Sequence, residues 1–202
     1  MKLYYCPGTC SQAVHICLRE AGLKFEIEKV DIKTKQMESG RDFLTINPHG
    51  YVPVLELDDG TRLTELPAIV QYVADQAPAS GLAPANGTIA RYQLQGWLNF
   101  VGGELHKSYS VLFSPDASDS YKNVVRERLA KRYAVLDELL GKQAFLTGAA
   151  FTPADAYLFV ASGWSKLVGV DLAPFPNVLA FRSRVAARPT VEETLKAEGL
   201  RK

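Results

Sequence analysis

Leu3-Tyr4-Tyr5 is a short apolar run closed off by Pro7 and Gly8, the pattern of a buried strand. From Ser11 the period changes. Val14, Cys17, Leu18 and Ala21 recur at helical spacing, and Gly22 follows as a helix stop. Phe25 to Val30 then alternates, predicting a half-buried strand. Strand, helix and strand fall within about thirty residues, the size of a βαβ unit. Val54-Leu55-Glu56-Leu57 predicts another strand, Asp58-Asp59-Gly60 a hairpin turn, and Arg62-Leu63-Thr64 the return. Pro67 suits the first position of a helix whose apolar side carries Ile69, Val70 and Val73.

Residues 78–87 are rich in Pro, Gly and small side chains and read as a linker. Beyond them the pattern is helical. Leu94, Trp97, Leu98, Val101, Leu105, Tyr109 and Leu112 form one stripe, and Val125, Leu129, Tyr133, Leu136 and Leu140 another. Thr152-Pro153-Ala154-Asp155 is a capping box that opens a helix running to about Val168. Two shorter helices follow around Phe181 and Leu195. The division is therefore an α/β domain over residues 1–77, the linker, and an all-helical domain over residues 88–202.

Composition changes this picture little. Of 202 residues, 47% are hydrophobic and 22% charged, which argues against disorder. The formal net charge is +1 and no long Lys/Arg run exists, so nucleic acid is not the expected partner. No segment is apolar for long enough to span a bilayer. Pro7 and Gly8 interrupt the N-terminus before a signal-like apolar core can form. The three cysteines, Cys6, Cys10 and Cys17, cluster near the N-terminus and do not form a disulfide framework. A reducing, cytoplasmic setting is expected.

Cys10 stands where a loop hands over to a helix. Free backbone N–H groups and the macrodipole favour a thiolate there, which lowers a thiol's pKa and sharpens its nucleophilicity. A buried, inert thiol is the alternative on position alone. Cys17 lies on the apolar stripe, and Cys6 is four residues from Cys10 rather than at C-x-x-C spacing. Val52-Pro53 precedes a strand and could be cis, leaving the Val52 main chain to pair with an extended peptide. Thr64-Glu65-Leu66-Pro67 makes a second helix start, suited to a carboxylate, with Glu65 placed to meet an ammonium. Asn99, Gly103 and His106 share one helical face opposite the stripe, and Gly102-Gly103 costs that helix stability, about 1 kcal/mol per glycine. Glu104 lies off that face, sideways, where a partner subunit is in reach. No zinc-like clustering of Cys and His occurs.

Taken together, these pieces resemble the glutathione transferase family along essentially the whole chain. The matching segments are Tyr4-Tyr5-Cys6-Pro7-Gly8-Thr9-Cys10-Ser11, Asn47-Pro48-His49-Gly50-Tyr51-Val52-Pro53, Leu63-Thr64-Glu65 and Ala68-Ile69-Val70-Gln71-Tyr72. In the helical half they are Trp97-Leu98-Asn99, Glu104-Leu105-His106-Lys107 and Phe151-Thr152-Pro153-Ala154-Asp155-Ala156-Tyr157. The cysteine in the loop and the Glu-Leu-His-Lys segment are similar to the bacterial beta class.

The resemblance implies a thioredoxin-like N-terminal domain with a cis bond at Pro53, followed by an all-helical C-terminal domain. It also implies a homodimer that joins glutathione to hydrophobic electrophiles, with no cofactor beyond glutathione itself. Cys10 would contact the glutathione sulfur, Lys35 the glycyl carboxylate and the Val52 main chain the cysteinyl unit. Glu65 and Leu66 would hold the γ-glutamyl end. Asn99, Gly103, Glu104, Leu105 and His106 would complete the site, some of them from the partner subunit. Cys10 and His106 are the catalytic candidates, His106 as proton acceptor or as polar pocket wall. Ser11 could support Cys10 by a hydrogen bond. Tyr109, Phe113 and Trp164 are candidates for the electrophile pocket, and equally for the core. Leu66 departs from the Ser or small residue that many relatives carry, offering an N–H but no hydroxyl. Thiol-disulfide exchange through Cys10 and a non-catalytic binding module are the rival readings.

Overall fold

A computed structural model of the chain describes residues 1–201. The chain divides into two units. One is Met1–Ala83 together with the stretch from Pro189 onward, and the other is Pro84–Arg188.

In the first unit, β1 (Lys2–Tyr5), α1 (Ser11–Glu20) and β2 (Glu26–Asp31) form the expected βαβ unit, with β1 and β2 parallel and Leu3 opposite Ile27. The short β3 (Gln36–Met37), then β4 (Val54–Glu56) and β5 (Arg62–Leu63) complete a sheet of order β3-β2-β1-β4-β5. β4 is antiparallel to β1, with Leu3 opposite Leu55. β1 is central, so Leu3, Tyr4 and Tyr5 are all buried, as a continuous apolar run requires. In β2 the predicted half-burial is only partly realised. β3 pairs with Val30 and Asp31 alone, so Val30 is buried while Ile27 stays 38% exposed. α2 (Leu66–Gln76) begins one residue before Pro67, which takes its second position.

α1 packs against β1, α2 and the last helix, α8 (Pro189–Ala197). Covered from several sides, it buries polar Ser11, Gln12 and His15 along with its apolar stripe. The division at residues 88–202 is corrected at this end: α8 belongs with the first unit. The reason is polar. Glu198, just past α8, is fully buried and bonds to His15 Nδ1 at 3.1 Å and Gln12 Nε2 at 2.9 Å. Arg19–Glu193 and Thr190–Glu20 bonds flank this centre.

The second unit is helical throughout. α3 (Ile89–Phe100) passes through a wider π turn, Val101–His106, into α4 (Lys107–Phe113). Of the first predicted stripe only Trp97 is less than buried, and every residue of the second, on α5 (Asp119–Leu140), is buried. Tyr109 and Tyr133 satisfy each other's hydroxyls at 2.8 Å inside this core. α6 (Pro153–Gly163) opens on the expected box: the Asp155 carboxylate accepts from the Thr152 N–H and hydroxyl and from the Leu146 N–H. α6 ends at Gly163 and tightens into a 3-10 turn over Trp164–Leu167, short of the expected Val168. α7 (Pro176–Ala186) packs on α5, where Asp137 accepts from the Asn177 and Val178 N–H groups at the helix start.

Candidate functional site

The loop from Cys6 to Cys10 is built by short-range bonds. The Thr9 N–H and hydroxyl both donate to the Cys6 carbonyl, at 3.2 and 2.9 Å. Gly8 turns the chain with φ +71°, a conformation that suits glycine. Its N–H is taken by Glu198 at 3.1 Å, so the end of the first unit's chain anchors the loop. Ser11 Oγ accepts the Cys6 N–H at 3.1 Å and lies 2.9 Å from Thr9 Oγ1. It therefore braces the loop backbone at Cys6.

Cys10 is the N-cap residue of α1 and is partly exposed. Its thiol donates to the Val52 carbonyl at 3.4 Å. The Val52–Pro53 bond is cis. Cys17 is fully buried, and Cys6, partly buried, packs against the core cluster that runs from Tyr4 through Phe43 to Val54. Burial pushes the Cys6 thiol's pKa up, against its use as a nucleophile.

The loop preceding Pro53 is folded on itself. Asn47 donates to the Tyr51 carbonyl at 2.8 Å and accepts the His49 N–H at 3.1 Å. Lys35, at φ +61°, donates from Nζ to the Gly50 carbonyl at 2.9 Å and lies over the Tyr51 ring. Its ammonium is thus fixed on the same loop that presents Val52.

Glu65 caps α2 with φ +63° and ψ +110°, an unfavourable backbone for a non-glycine residue and of a kind that clusters at ligand sites. Its side chain is exposed. Pro67 has no N–H, and Ala68 and Ile69 both donate to the Glu65 carbonyl, leaving the Leu66 N–H without a partner within the helix. The Leu66 side chain is 4% exposed. The residue that departs from the family pattern is thus a core residue that still offers its amide.

The sequence-predicted residues of the second unit are treated differently by the fold. Asn99 and Gly103 are exposed. His106 does not share their solvated face, because the π turn rotates it inward. Its Nδ1 lies 2.6 Å from the Tyr157 hydroxyl, and its ring meets Trp164 at 4.8 Å between centroids. Burial, with a smaller contribution from Lys107, lowers its pKa to about 4, so the ring is neutral near pH 7. Glu104 pairs with Arg132 of α5 at 2.7 Å and keeps a partly exposed side chain. Leu105 is fully buried, leaving only its main chain for any ligand.

Tyr109, Phe113 and Trp164 do come together, with Trp164 edge-on to both of the others. Tyr109 is fully buried, however, so it stands in the core, and that burial pushes its pKa up to about 12. Phe113 is half exposed, and Trp164 is largely buried.

Glu198, Gln12 and Tyr157 were not marked by sequence reasoning. Gln12, His15 and Arg19 at helical spacing on an apolar helix were the available signal for the first two. A depression of about 490 Å³ lined by Met1, Lys2, Lys24 and Glu56 lies at the start of β1, the end away from Cys10, and its lining holds no cysteine, serine or histidine. Among the described residues no group of three His, Cys, Asp or Glu is placed to hold a metal, and no helix is long and apolar enough to cross a membrane.

Comparison with known proteins extends this geometry to a family. Residues 6–76 match the glutathione S-transferase N-terminal domain and residues 102–189 its C-terminal domain. The chain is 45% identical over 201 residues to glutathione S-transferase GstA of Escherichia coli O157:H7, with 100% of both chains covered. It superposes on BphK, a bacterial GST solved as a ternary complex, with TM-score 0.97 and 55% identity, covering 99% of this chain and 100% of that one. For the bacterial beta class glutathione S-transferase of Sphingomonas chungbukensis the values are 0.95 and 48%, over 99% and 100%. Identity of this order along the full length of both chains, with a cysteine at the start of the first helix, places the protein in the glutathione S-transferase family, in its bacterial beta class.

Proposed function

We propose that the protein joins the thiol of glutathione to hydrophobic electrophiles, with the glutathione sulfur seated at Cys10. The observation that carries this is the position of the Cys10 thiol. It sits at the N-terminal end of α1, 3.4 Å from the Val52 carbonyl. There the helix start stabilises a thiolate electrostatically. Glutathione's S–H loses its proton, the sulfur forms a bond to an electrophilic carbon, and the bond to the leaving group breaks with its electron pair. Lys35 meets the glycyl carboxylate, the Val52 main chain the cysteinyl unit, and Glu65 with the Leu66 N–H the γ-glutamyl end. As the family resemblance implies, Asn99, Gly103 and the Leu105 main chain, from the same subunit or its partner, add ligand contacts, and His106 faces the electrophile. Glutathione is the only co-substrate this scheme requires. The working form is a cytoplasmic homodimer, and a monomer in sedimentation that turned over normally would refute that part.

A second activity is favoured by the partial exposure of Cys10. Its thiolate attacks a glutathionyl disulfide, forming a mixed disulfide and releasing the partner thiolate. A glutathione thiolate then attacks that mixed disulfide, regenerating Cys10 and leaving oxidised glutathione. Cys10→Ala separates the two. Conjugation of an aryl halide should persist measurably, because the nucleophile is glutathione's own sulfur, whereas reduction of glutathionyl disulfides should vanish. Protein purified without reductant should carry one glutathione, removable by dithiothreitol and unaffected by Cys6→Ala. An adduct that follows Cys6, or full exchange in Cys10→Ala, would remove Cys10 from this role.

A further inference from the structure

His106 closes the π turn Val101–His106, and this wider turn directs its imidazole toward α6. Three aromatic groups meet there. The Tyr157 ring stands at 90° to the imidazole, Trp164 crosses it at 61°, and the Tyr157 hydroxyl lies 2.6 Å from Nδ1. Tyr157 itself is 3% exposed and is carried on α6, whose first turn is locked by Asp155.

The roles in this pair follow the imidazole's tautomer. The 2.6 Å separation lies within the range of bonds donated by a hydroxyl, about 2.5–3.0 Å, and below the roughly 2.7–3.2 Å usual for those donated by N–H, which favours the phenol as donor and Nδ1 as acceptor. A neutral imidazole whose Nδ1 lone pair is occupied carries its single hydrogen on Nε2. The surroundings support the neutral ring. Burial disfavours the imidazolium, the nearby Lys107 adds to that, and no ion pair between the ring and a carboxylate is found among the described residues.

We propose that Tyr157 is a positioning residue for the transferase reaction: by donating to Nδ1 it fixes His106 in the Nε2–H tautomer, so that His106 offers substrate a hydrogen bond and does not accept a proton. This rests on the proposed placement of His106 toward the electrophile. It also names a substrate class. The electrophiles favoured are those whose carbon carries an acceptor that gains negative charge during attack, such as a carbonyl or nitro oxygen. A preset donor stabilises that charge without reorganising.

The tautomer can be read without turnover. In ¹⁵N-labelled protein at pH 7, the His106 imidazole signals, assigned by their loss in His106→Gln, should show a hydrogen-free Nδ1 and a hydrogen-bearing Nε2. Tyr157→Phe should release the ring to a mixture of tautomers. A native spectrum with the hydrogen on Nδ1 overturns the proposal, as does an unchanged spectrum in Tyr157→Phe. In kinetics, Tyr157→Phe should lower kcat about tenfold for a nitro-activated aryl halide, the worth of roughly one hydrogen bond, with the KM for glutathione unchanged. His106→Gln, which retains an N–H donor, should keep more activity than His106→Ala. Equal losses in the two His106 variants would mean that no donor is used. If native protein conjugates no electrophile, the functional reading fails, and the spectra still decide the tautomer.

Discussion

Replacing Glu198 tests how the Cys6–Cys10 loop is held. Its side chain is fully buried and serves three donors: the Gly8 N–H at 3.1 Å, Gln12 Nε2 at 2.9 Å and His15 Nδ1 at 3.1 Å. Arg19 Nε donates to His15 Nε2 at 3.3 Å, which assigns the ring hydrogen to Nδ1 and makes His15 a donor to Glu198. Glu198→Ala leaves all three donors facing a cavity. A buried polar group stripped of its partner costs about 1–3 kcal/mol, and the three losses overlap because they share one site. The expected destabilisation is about 3–5 kcal/mol, a large fraction of the 5–15 kcal/mol typical of a folded domain. Glu198→Gln keeps one acceptor oxygen but turns an N–H₂ toward donors, so roughly half that loss is expected. Urea unfolding measures both, and the loop's response is read separately as faster alkylation of Cys10. A Glu198→Ala protein within about 1 kcal/mol of native would show that water or neighbouring groups satisfy the donors, and that the buried carboxylate does not anchor Gly8.

Two further outcomes follow from burial. His106 titrates near 4 in the folded chain and near 6.5 unfolded, so the unfolded state binds the extra proton between those values. The stability due to its neutral burial is therefore complete above pH 6.5 and lost as pH falls toward 4. Native protein should lose about 2–3 kcal/mol relative to His106→Gln between pH 7 and pH 4.5. Parallel stability curves for the two proteins would refute the shift. Leu66→Ser should cost about 2–5 kcal/mol in urea unfolding, the range for emptying a buried leucine site. It should not tighten glutathione binding in calorimetry, because the new hydroxyl inherits a side chain aimed into the core; tighter binding would show that the hydroxyl reaches the ligand.

The order of elements was legible from neighbours only a few residues apart. The apolar run at Leu3, the helical stripe from Val14, the Asp59-Gly60 turn and the Thr152–Asp155 box are all decided by local periodicity, turn chemistry and capping, and each forms where expected. Cys10 was legible for the same reason, since a helix start is a local feature. Tertiary structure decided the rest. That Ser11 braces the Cys6 main chain depends on how the loop closes, and that Leu66 is core depends on what packs over the start of α2. That α8 belongs to the first unit depends on Glu198 reaching His15 across 183 positions of sequence. His106 illustrates the limit most directly. Ideal helical spacing placed it on the wet face with Asn99, but one wide turn at the glycines swings it beneath Tyr157 and Trp164. A π turn costs backbone regularity that packing against α5 and α6 can compensate. The energy that selects it comes from residues far along the chain, which periodicity cannot register.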